Sequence, residues 1–149
     1  MTSLSTLIYY PRSIGLFANG VFSGIGLTMN GVSVPAIKAS KDPLPSFVKT
    51  YNNASKMAIA SIFIGTAANA ACYYRTNDKK FLYTSILTFV SFPFTLLFIA
   101  PINNQLFALQ KLGDSYDRNE VYALMEKWNK VQAFRTIAGT AAFIINLVY

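Results

Sequence analysis

The chain has 149 residues, which is a typical length for one domain, and 53% of them are hydrophobic while only 13% are charged. Its formal net charge of +7 comes from 13 Lys and Arg against 6 Asp and Glu, and His is absent. Without imidazole, His-ligated haem, zinc and di-iron sites and Ser-His-Asp triads are excluded. We therefore predict neither a metal nor a cofactor.

The charges are clustered and leave three long stretches without any. These stretches separate Arg12 from Lys38, Lys56 from Arg75, and Lys80 from Lys111. A helix needs roughly 20 apolar residues to cross the hydrocarbon core of a bilayer, so the pattern predicts an integral, multi-pass membrane protein. The basic residues lie in the connections, where they favour contact with anionic membrane lipid and set the orientation of the protein in the membrane. Nucleic acid is not an expected partner.

The first predicted span covers residues 13–34 and ends before Pro35. Gly20 and Gly24 form a G-xxx-G pair, which allows another helix to approach closely. The neighbouring face of the same helix is small and polar: it carries Asn19, Ser23, Gly26 and Asn30. Both faces suit packing inside the chain, and the glycine pair also suits docking to another membrane protein.

The second predicted span covers residues 54–74 and follows a polar link at 36–53. One face of this span is again small and polar, and it includes Asn69. The third span covers residues 81–100, where Pro93 is expected to bend the helix and Pro101 to break or kink it.

A polar connection with short helices is predicted for residues 101–130, before the last span at 131–148. Asp117 and Glu120 have the spacing of a capping box, which predicts a helix that runs from there to the end of the chain. The predicted fold is all-α: an antiparallel four-helix membrane bundle in a single domain, 1–149, whose last helix is long and projects from the bilayer.

The last helix carries a polar stripe. Trp128, Gln132 and Arg135 are spaced i, i+4, i+7 and so share one face, which continues through Gly139 and Asn146. A polar stripe on an apolar helix requires a partner or a cavity. We therefore predict that this stripe, together with the pair Asn103 and Asn104, lines a pocket inside the bundle.

Each of these side chains has a functional and a structural interpretation. Arg135 could clamp a phenolate, enolate or carboxylate, or it could extend to lipid headgroups. Trp128 could stack on a flat ligand or anchor the helix at the interface. Asn103 could donate to a developing oxyanion or cap the broken end of the third span. The candidate catalytic residues are Arg135 and Asn103; the candidate substrate-binding residues are Trp128, Asn104, Gln132, Asn69 and Asn30.

The order Pro101-x-Asn103-Asn104-x-Leu106, then Trp128, then Arg135-Thr136 resembles the signature of a small four-helix membrane family that includes the anthrone oxygenases of polyketide pathways. The resemblance covers most of the chain. It implies an all-helical membrane fold and, in the characterised branch, oxidation of a tricyclic anthrone to an anthraquinone by O₂ without metal or flavin. An aromatic, lipophilic small molecule is then the expected ligand.

The chain departs from the family pattern at one point. Many relatives carry a His between the Trp and the Arg, whereas this chain has Asn129 and Gln132 in that turn. The missing imidazole removes the obvious proton acceptor. Two hypotheses follow: a member that binds a flat lipophilic molecule, with or without oxygenation, and a non-enzymatic subunit or assembly factor of a larger membrane complex.

Overall fold

The computed structural model describes the backbone of residues 4–148 and the side chains of residues 10–148, and it is helical almost throughout. The α-helices are α1 (Leu4–Thr28), α2 (Val34–Lys38), α3 (Pro43–Thr76), α4 (Lys79–Phe94), α5 (Ala100–Gln110) and α6 (Arg118–Val148). Two π-helical turns, Met29–Ser33 and Thr95–Ile99, join α1 to α2 and α4 to α5, so that the chain forms four long rods.

Four stretches are long and apolar enough to cross a membrane, which confirms the predicted number of spans. They are Tyr10–Lys38, Pro43–Thr76, Lys79–Gln110 and Arg118–Val148. The helix α1 packs against α3 and α6, and α4 packs against the same two helices. This places the four rods at the corners of a square, with α1 diagonal to α4 and α3 diagonal to α6. Large hydrophobic side chains such as Phe17, Leu97 and Ile137 cover the outer surface.

Pro35 does not end its helix, contrary to the expectation from sequence, and Pro101 does not break the third rod. Each lies just after a π-turn, in which Val34 donates its N–H to the Met29 carbonyl and Ala100 donates to that of Thr95. Proline has no N–H and its ring collides with the carbonyl four residues earlier. The turn before it widens to i→i+5 bonding, and the helix continues beyond the proline.

The second helix begins earlier than the predicted span, at Pro43 rather than near residue 54. Proline is favoured at the first helical position because its missing N–H has no partner there. The first turns of α3 then bury Leu44, Phe47 and Val48 completely or nearly so. The polar link therefore shrinks to residues 39–42.

The final helix α6 runs unbroken for 31 residues, or about 46 Å at roughly 1.5 Å per residue. Its start is capped as predicted, because the Asn119 N–H donates to Asp117 Oδ1 at 2.9 Å. The pKa of Tyr116, just before this cap, is raised because its hydroxyl donates to the Asp42 carboxylate in the 39–42 link. That contact joins the two connections at one end of the bundle.

Candidate functional site

The polar stripe of α6 faces the interior of the bundle over its whole length. Trp128 and Gln132 are each 1% exposed and Arg135 is 7% exposed. Gly139 and Asn146 are also buried. Arg135 therefore does not extend outward toward lipid headgroups, and the interpretation as an inward-facing group is the one that the geometry supports.

Trp128 and Asn103 meet, although they are 25 residues apart in sequence. The indole N–H of Trp128 donates to Asn103 Oδ1 at 2.8 Å in a buried contact. Phe47 and Tyr51 from α3 each present an edge to the indole, with ring centroids 5.2 Å and 6.1 Å away. The two predicted site residues thus belong to one cluster, walled by aromatic rings from the diagonal helix.

Arg135 lies two turns deeper in the bundle and has no anionic partner among the described residues. Its Nη1 donates to Thr95 Oγ1 at 2.5 Å, and its Cζ lies 5.6 Å from the centre of the Phe22 ring. Its Nε is buried without a hydrogen-bond partner, as is the Oε1 atom of Gln132 one turn away. A buried cation without a counter-ion costs free energy, so this part of the core is suited to receiving an anion.

The two π-turns both lead to this stretch of α6. Thr95, which receives the Arg135 bond, is the first residue of one π-turn. Asn30 lies in the other, where its Nδ2 donates to the carbonyl and side-chain oxygens of Asn129 at 2.8 and 2.7 Å, and its Oδ1 accepts from the Thr136 hydroxyl. Single π-turns inside α-helices occur frequently at functional sites. Here they position two polar groups around the Gln132–Arg135 turn.

Asn69 lies elsewhere in the bundle. It donates to the Gly65 carbonyl at 2.8 Å and accepts from Asn146 Nδ2 at 3.0 Å. Asn146 follows Arg135 by about 16 Å along α6 at roughly 1.5 Å per residue. Asn69 therefore joins the diagonal helices α3 and α6 far from the Arg135 cluster, and its role in substrate binding stays a prediction.

Asn104 is also placed outside the cluster, because its side chain is exposed on α5 while Asn103 points inward. Of the seven predicted site residues, Arg135, Asn103, Trp128, Gln132 and Asn30 share one end of the bundle interior.

Five grooves on the described part of the chain lie away from the polar cluster. None of these five is lined by Arg135, Gln132, Trp128 or Asn103. One groove, of about 470 Å³, lies beside the cluster; its lining residues are Val48, Asn52, Phe107, Gln110 and Lys111. The predicted intrabundle pocket stays a prediction, since the cluster side chains pack directly on one another.

Three members of the site were missed from the sequence: Tyr51, Thr95 and Phe22. Tyr51 is half-buried; its ring lies 6.1 Å from the Trp128 indole, and its phenol is near the Asn103 side chain and the charge of Arg135. Its ring lies 6.0 Å from Phe107 at the edge of the groove. The sequence placed Tyr51 in a polar link, because the prolines at 43 and 45 hid the start of α3.

The predicted docking face is only partly available. A Cβ on Gly20 would meet the Phe143 ring of the same chain at 3.2 Å, whereas Gly24 has nothing within 4 Å. One half of the G-xxx-G pair therefore packs within the chain, against α6, and a membrane protein partner stays a prediction.

A sequence model of the family described as "Anthrone oxygenase" matches residues 47–145, which is well over half of the chain. This chain belongs to the anthrone oxygenase family. The matched region contains Tyr51, Asn103, Trp128 and Arg135. The resemblance predicted from the Pro-Asn-Asn, Trp and Arg-Thr positions is confirmed.

Two curated members of the anthrone oxygenase family show how far the likeness extends. The anthrone oxygenase dmxR16 of Cryptosporiopsis sp. is 27% identical over 128 residues, which cover 81% of this chain and 74% of the relative. The anthrone oxygenase tpcL of Aspergillus fumigatus is 22% identical over 138 residues, covering 89% of this chain and 86% of the relative. No solved structure matches the chain.

Proposed function

We propose that this protein binds a flat, phenolic, tricyclic ketone of the anthrone class within a membrane and promotes its oxygenation by O₂ to a quinone. The observation that carries the proposal is the buried Arg135 guanidinium, which has no carboxylate partner among the described residues. Family membership supports the choice of substrate class, because the two relatives are named as anthrone oxygenases.

The chemistry needs little from a protein. Loss of a proton from the methylene carbon of an anthrone gives an enolate, which is electron-rich enough to react with O₂ directly. The negative charge of the enolate resides largely on oxygen, and a guanidinium in a low-dielectric interior stabilises such a charge strongly. Arg135 is suited to this task because it is held in place by Thr95 and Phe22 before substrate arrives.

The reaction balances without a further reductant. One anthrone and one O₂ give one anthraquinone and one water, in which both hydrogens of the methylene carbon end in the water. The enolate combines with O₂ to form a carbon–oxygen bond, and the resulting peroxide loses its outer oxygen as hydroxide. The first proton, released to solvent, then converts that hydroxide to water.

The site for the planar rings is proposed to lie beside Trp128, entered from the groove of about 470 Å³ between α3 and α5. That volume falls within the roughly 300–1,000 Å³ of small-molecule sites. Tyr51 stands between this groove and the Trp128–Asn103 pair, and it is half-buried, so rotation of its side chain opens a path. The indole of Trp128 then provides a stacking surface.

The test is oxidation of an emodin-type anthrone by purified protein in detergent, followed by the absorbance of the quinone. We expect the wild type to exceed the spontaneous rate and Arg135→Gln to lose about 100-fold or more of the catalysed rate, as for removal of one oxyanion donor. Arg135→Lys, which keeps the charge but not the planar fork, should retain an intermediate rate.

Arg118→Gln is the matched control, because Arg118 is exposed at the start of the same helix. It should oxidise anthrone at the wild-type rate. Thermal unfolding of each variant separates loss of activity from loss of fold. A wild-type rate equal to the spontaneous one, or full activity in folded Arg135→Gln, would contradict the proposal.

A further inference from the structure

Tyr51 is an ionisable side chain at the edge of the Trp128–Asn103 cluster, where its ring lies 6.1 Å from the Trp128 indole. Its phenol is near the Asn103 side chain and the charge of Arg135. The chain contains no His, and five of its six Asp and Glu residues lie in connections, at helix caps or in a first helical turn. The sixth, Glu126, is exposed on α6 and pairs with Lys130. Tyr51 therefore has an exchangeable proton beside the cluster, which the carboxylates do not provide.

The surroundings of Tyr51 fix its position without closing it off from the groove. Its ring stacks on Phe47 at 6.2 Å, meets Trp128 edge-on at 6.1 Å and lies 6.0 Å from Phe107. Its neighbours on α3, Val48 and Asn52, line the groove of about 470 Å³. The groove therefore comes close to the Tyr51 ring, through Phe107 and the neighbouring residues of α3.

We propose that Tyr51 is a catalytic acid–base residue of this oxygenation, and that it acts after O₂ has added rather than before. This inference rests on the proposed function. The neutral phenol donates its proton to the outer oxygen of the peroxide anion, which gives a hydroperoxide and a tyrosinate. The tyrosinate then takes the remaining hydrogen of the same carbon as a proton; the C=O bond forms, the O–O bond breaks and hydroxide leaves.

The charges around Tyr51 are compatible with this order. Arg135 from α6 faces it from inside the bundle, and Lys111 lies at the far edge of the groove. Both are cations, so they stabilise the peroxide anion before proton transfer and the tyrosinate after it. Tyr51 returns to its neutral form at the end of each turnover, so the residue is neither consumed nor oxidised.

The experiment separates enolate formation from the later steps. Anthrone is mixed with three proteins: wild type, Tyr51→Phe and Arg135→Gln. In the first stage O₂ is absent and the visible absorbance of the enolate is recorded. In the second stage O₂ is added, and the quinone and hydroperoxide products are separated by chromatography. Tyr51→Phe should bind anthrone and form enolate as wild type does. With O₂ it should form quinone about 100-fold or more slowly, the usual size of an acid–base contribution, while tricyclic hydroperoxide accumulates.

Tyr73→Phe is the matched control, because Tyr73 is half-buried on the same helix but about 33 Å away at roughly 1.5 Å per residue. It should behave as wild type in both stages. Quinone formation at the wild-type rate by Tyr51→Phe, or loss of the enolate signal in this variant as in Arg135→Gln, overturns the role of Tyr51. If the wild type does not accelerate the oxidation, the proposed function itself is overturned. The wild-type reaction therefore separates a failure of the proposed function from a failure of the role of Tyr51.

Discussion

The two ends of the bundle interior are both lined by polar side chains, but they satisfy them differently. At the Asn69 end, side chains of diagonal helices bond to one another: Asn146 donates to Asn69 at 3.0 Å and Thr88 donates to Asn19 at 3.2 Å. At the Arg135 end, a buried cation relies on one hydroxyl and one aromatic ring. Both ends keep buried polar atoms without partners, Asn19 Nδ2 and Asn146 Oδ1 at the first and Arg135 Nε and Gln132 Oε1 at the second. The difference is that the second end also buries a charge, and none of the ion pairs among the described residues includes Arg135.

This difference has an energetic meaning. A hydrogen bond between amides of two helices inside a membrane bundle contributes roughly 0.6–2 kcal/mol to helix association. A buried guanidinium without an anion has the opposite effect on folding, because its desolvation is not compensated. A chain that needed only stability would be better served by an apolar side chain at position 135, so we interpret the guanidinium as a group retained for ligand binding.

The largest expected effect contrasts activity with stability at Arg135 itself. Arg135→Met should lower the rate of catalysed oxidation by about 100-fold or more. It should also raise the free energy of unfolding by about 1–4 kcal/mol, as seen when buried charges are replaced by apolar groups of similar volume. Titration of helicity with denaturing detergent measures the second quantity. A less stable variant would show that the guanidinium is a structural group.

The opposite pattern is expected at the other end of the bundle. Asn69→Ala leaves the Asn146 amide without its acceptor, which should cost about 1–3 kcal/mol of stability. Oxidation per folded molecule should stay at the wild-type level, because Asn69 is far from the Arg135 cluster. Comparison with Asn69→Gln shows whether an amide on a longer side chain restores part of the stability lost in Asn69→Ala. A fall in activity as large as that of Arg135→Gln would remove the distinction between the two ends.

A smaller effect is expected where the two ends meet, at Gly139. A Cβ added there would come within 2.6 Å of the Phe22 ring, which itself lies beside Arg135. Gly139→Ala should cost about 1 kcal/mol, at the low end of the range for overpacking, because only one methyl group is added. Gly24→Ala is the control, since nothing lies within 4 Å of its Cβ. Equal thermal stabilities of the two variants would contradict the close packing of Phe22 on α6.

Much of this architecture could be predicted from the sequence, because the signals were local. The uncharged stretches and the capping residue Asp117 gave the number of rods and the start of α6. The i, i+4, i+7 spacing of Trp128, Gln132 and Arg135 predicted one buried face, and all three residues are buried.

The errors arose where the outcome depended on contacts between distant parts of the chain. By its local chemistry Pro35 predicts a helix end and Pro101 a break or a kink, but both helices continue beyond the proline through π-turns. Asn69, predicted on the small face of the second span, and Asn103, predicted in the connection after the third span, carry the same amide side chain. Only the pairing of helices shows that Asn69 bonds to Asn146 and that Asn103 bonds to Trp128.

The smallest effect is expected outside both ends, at the contact between the connections. Tyr116 donates to Asp42, which raises the pKa of the phenol. Because the pKa of Tyr116 is raised in the folded state, the contact stabilises the fold fully at pH values below the ordinary tyrosine pKa of about 10. This stabilisation is lost as the pH rises through the pKa of the folded state. Tyr116→Phe should therefore lower the thermal stability slightly at pH 8 and have no such effect at strongly alkaline pH.

Because the hydrogen bond between Tyr116 and Asp42 is exposed to solvent, this contribution is expected to be smaller than that of any buried pair. Tyr122→Phe, a half-buried tyrosine on α6, serves as the control for general alkaline effects. Oxidation should be unchanged in Tyr116→Phe, since the contact joins the connections rather than the Arg135 cluster. If the stability difference from wild type were the same at both pH values, the hydrogen bond to Asp42 would not be its cause.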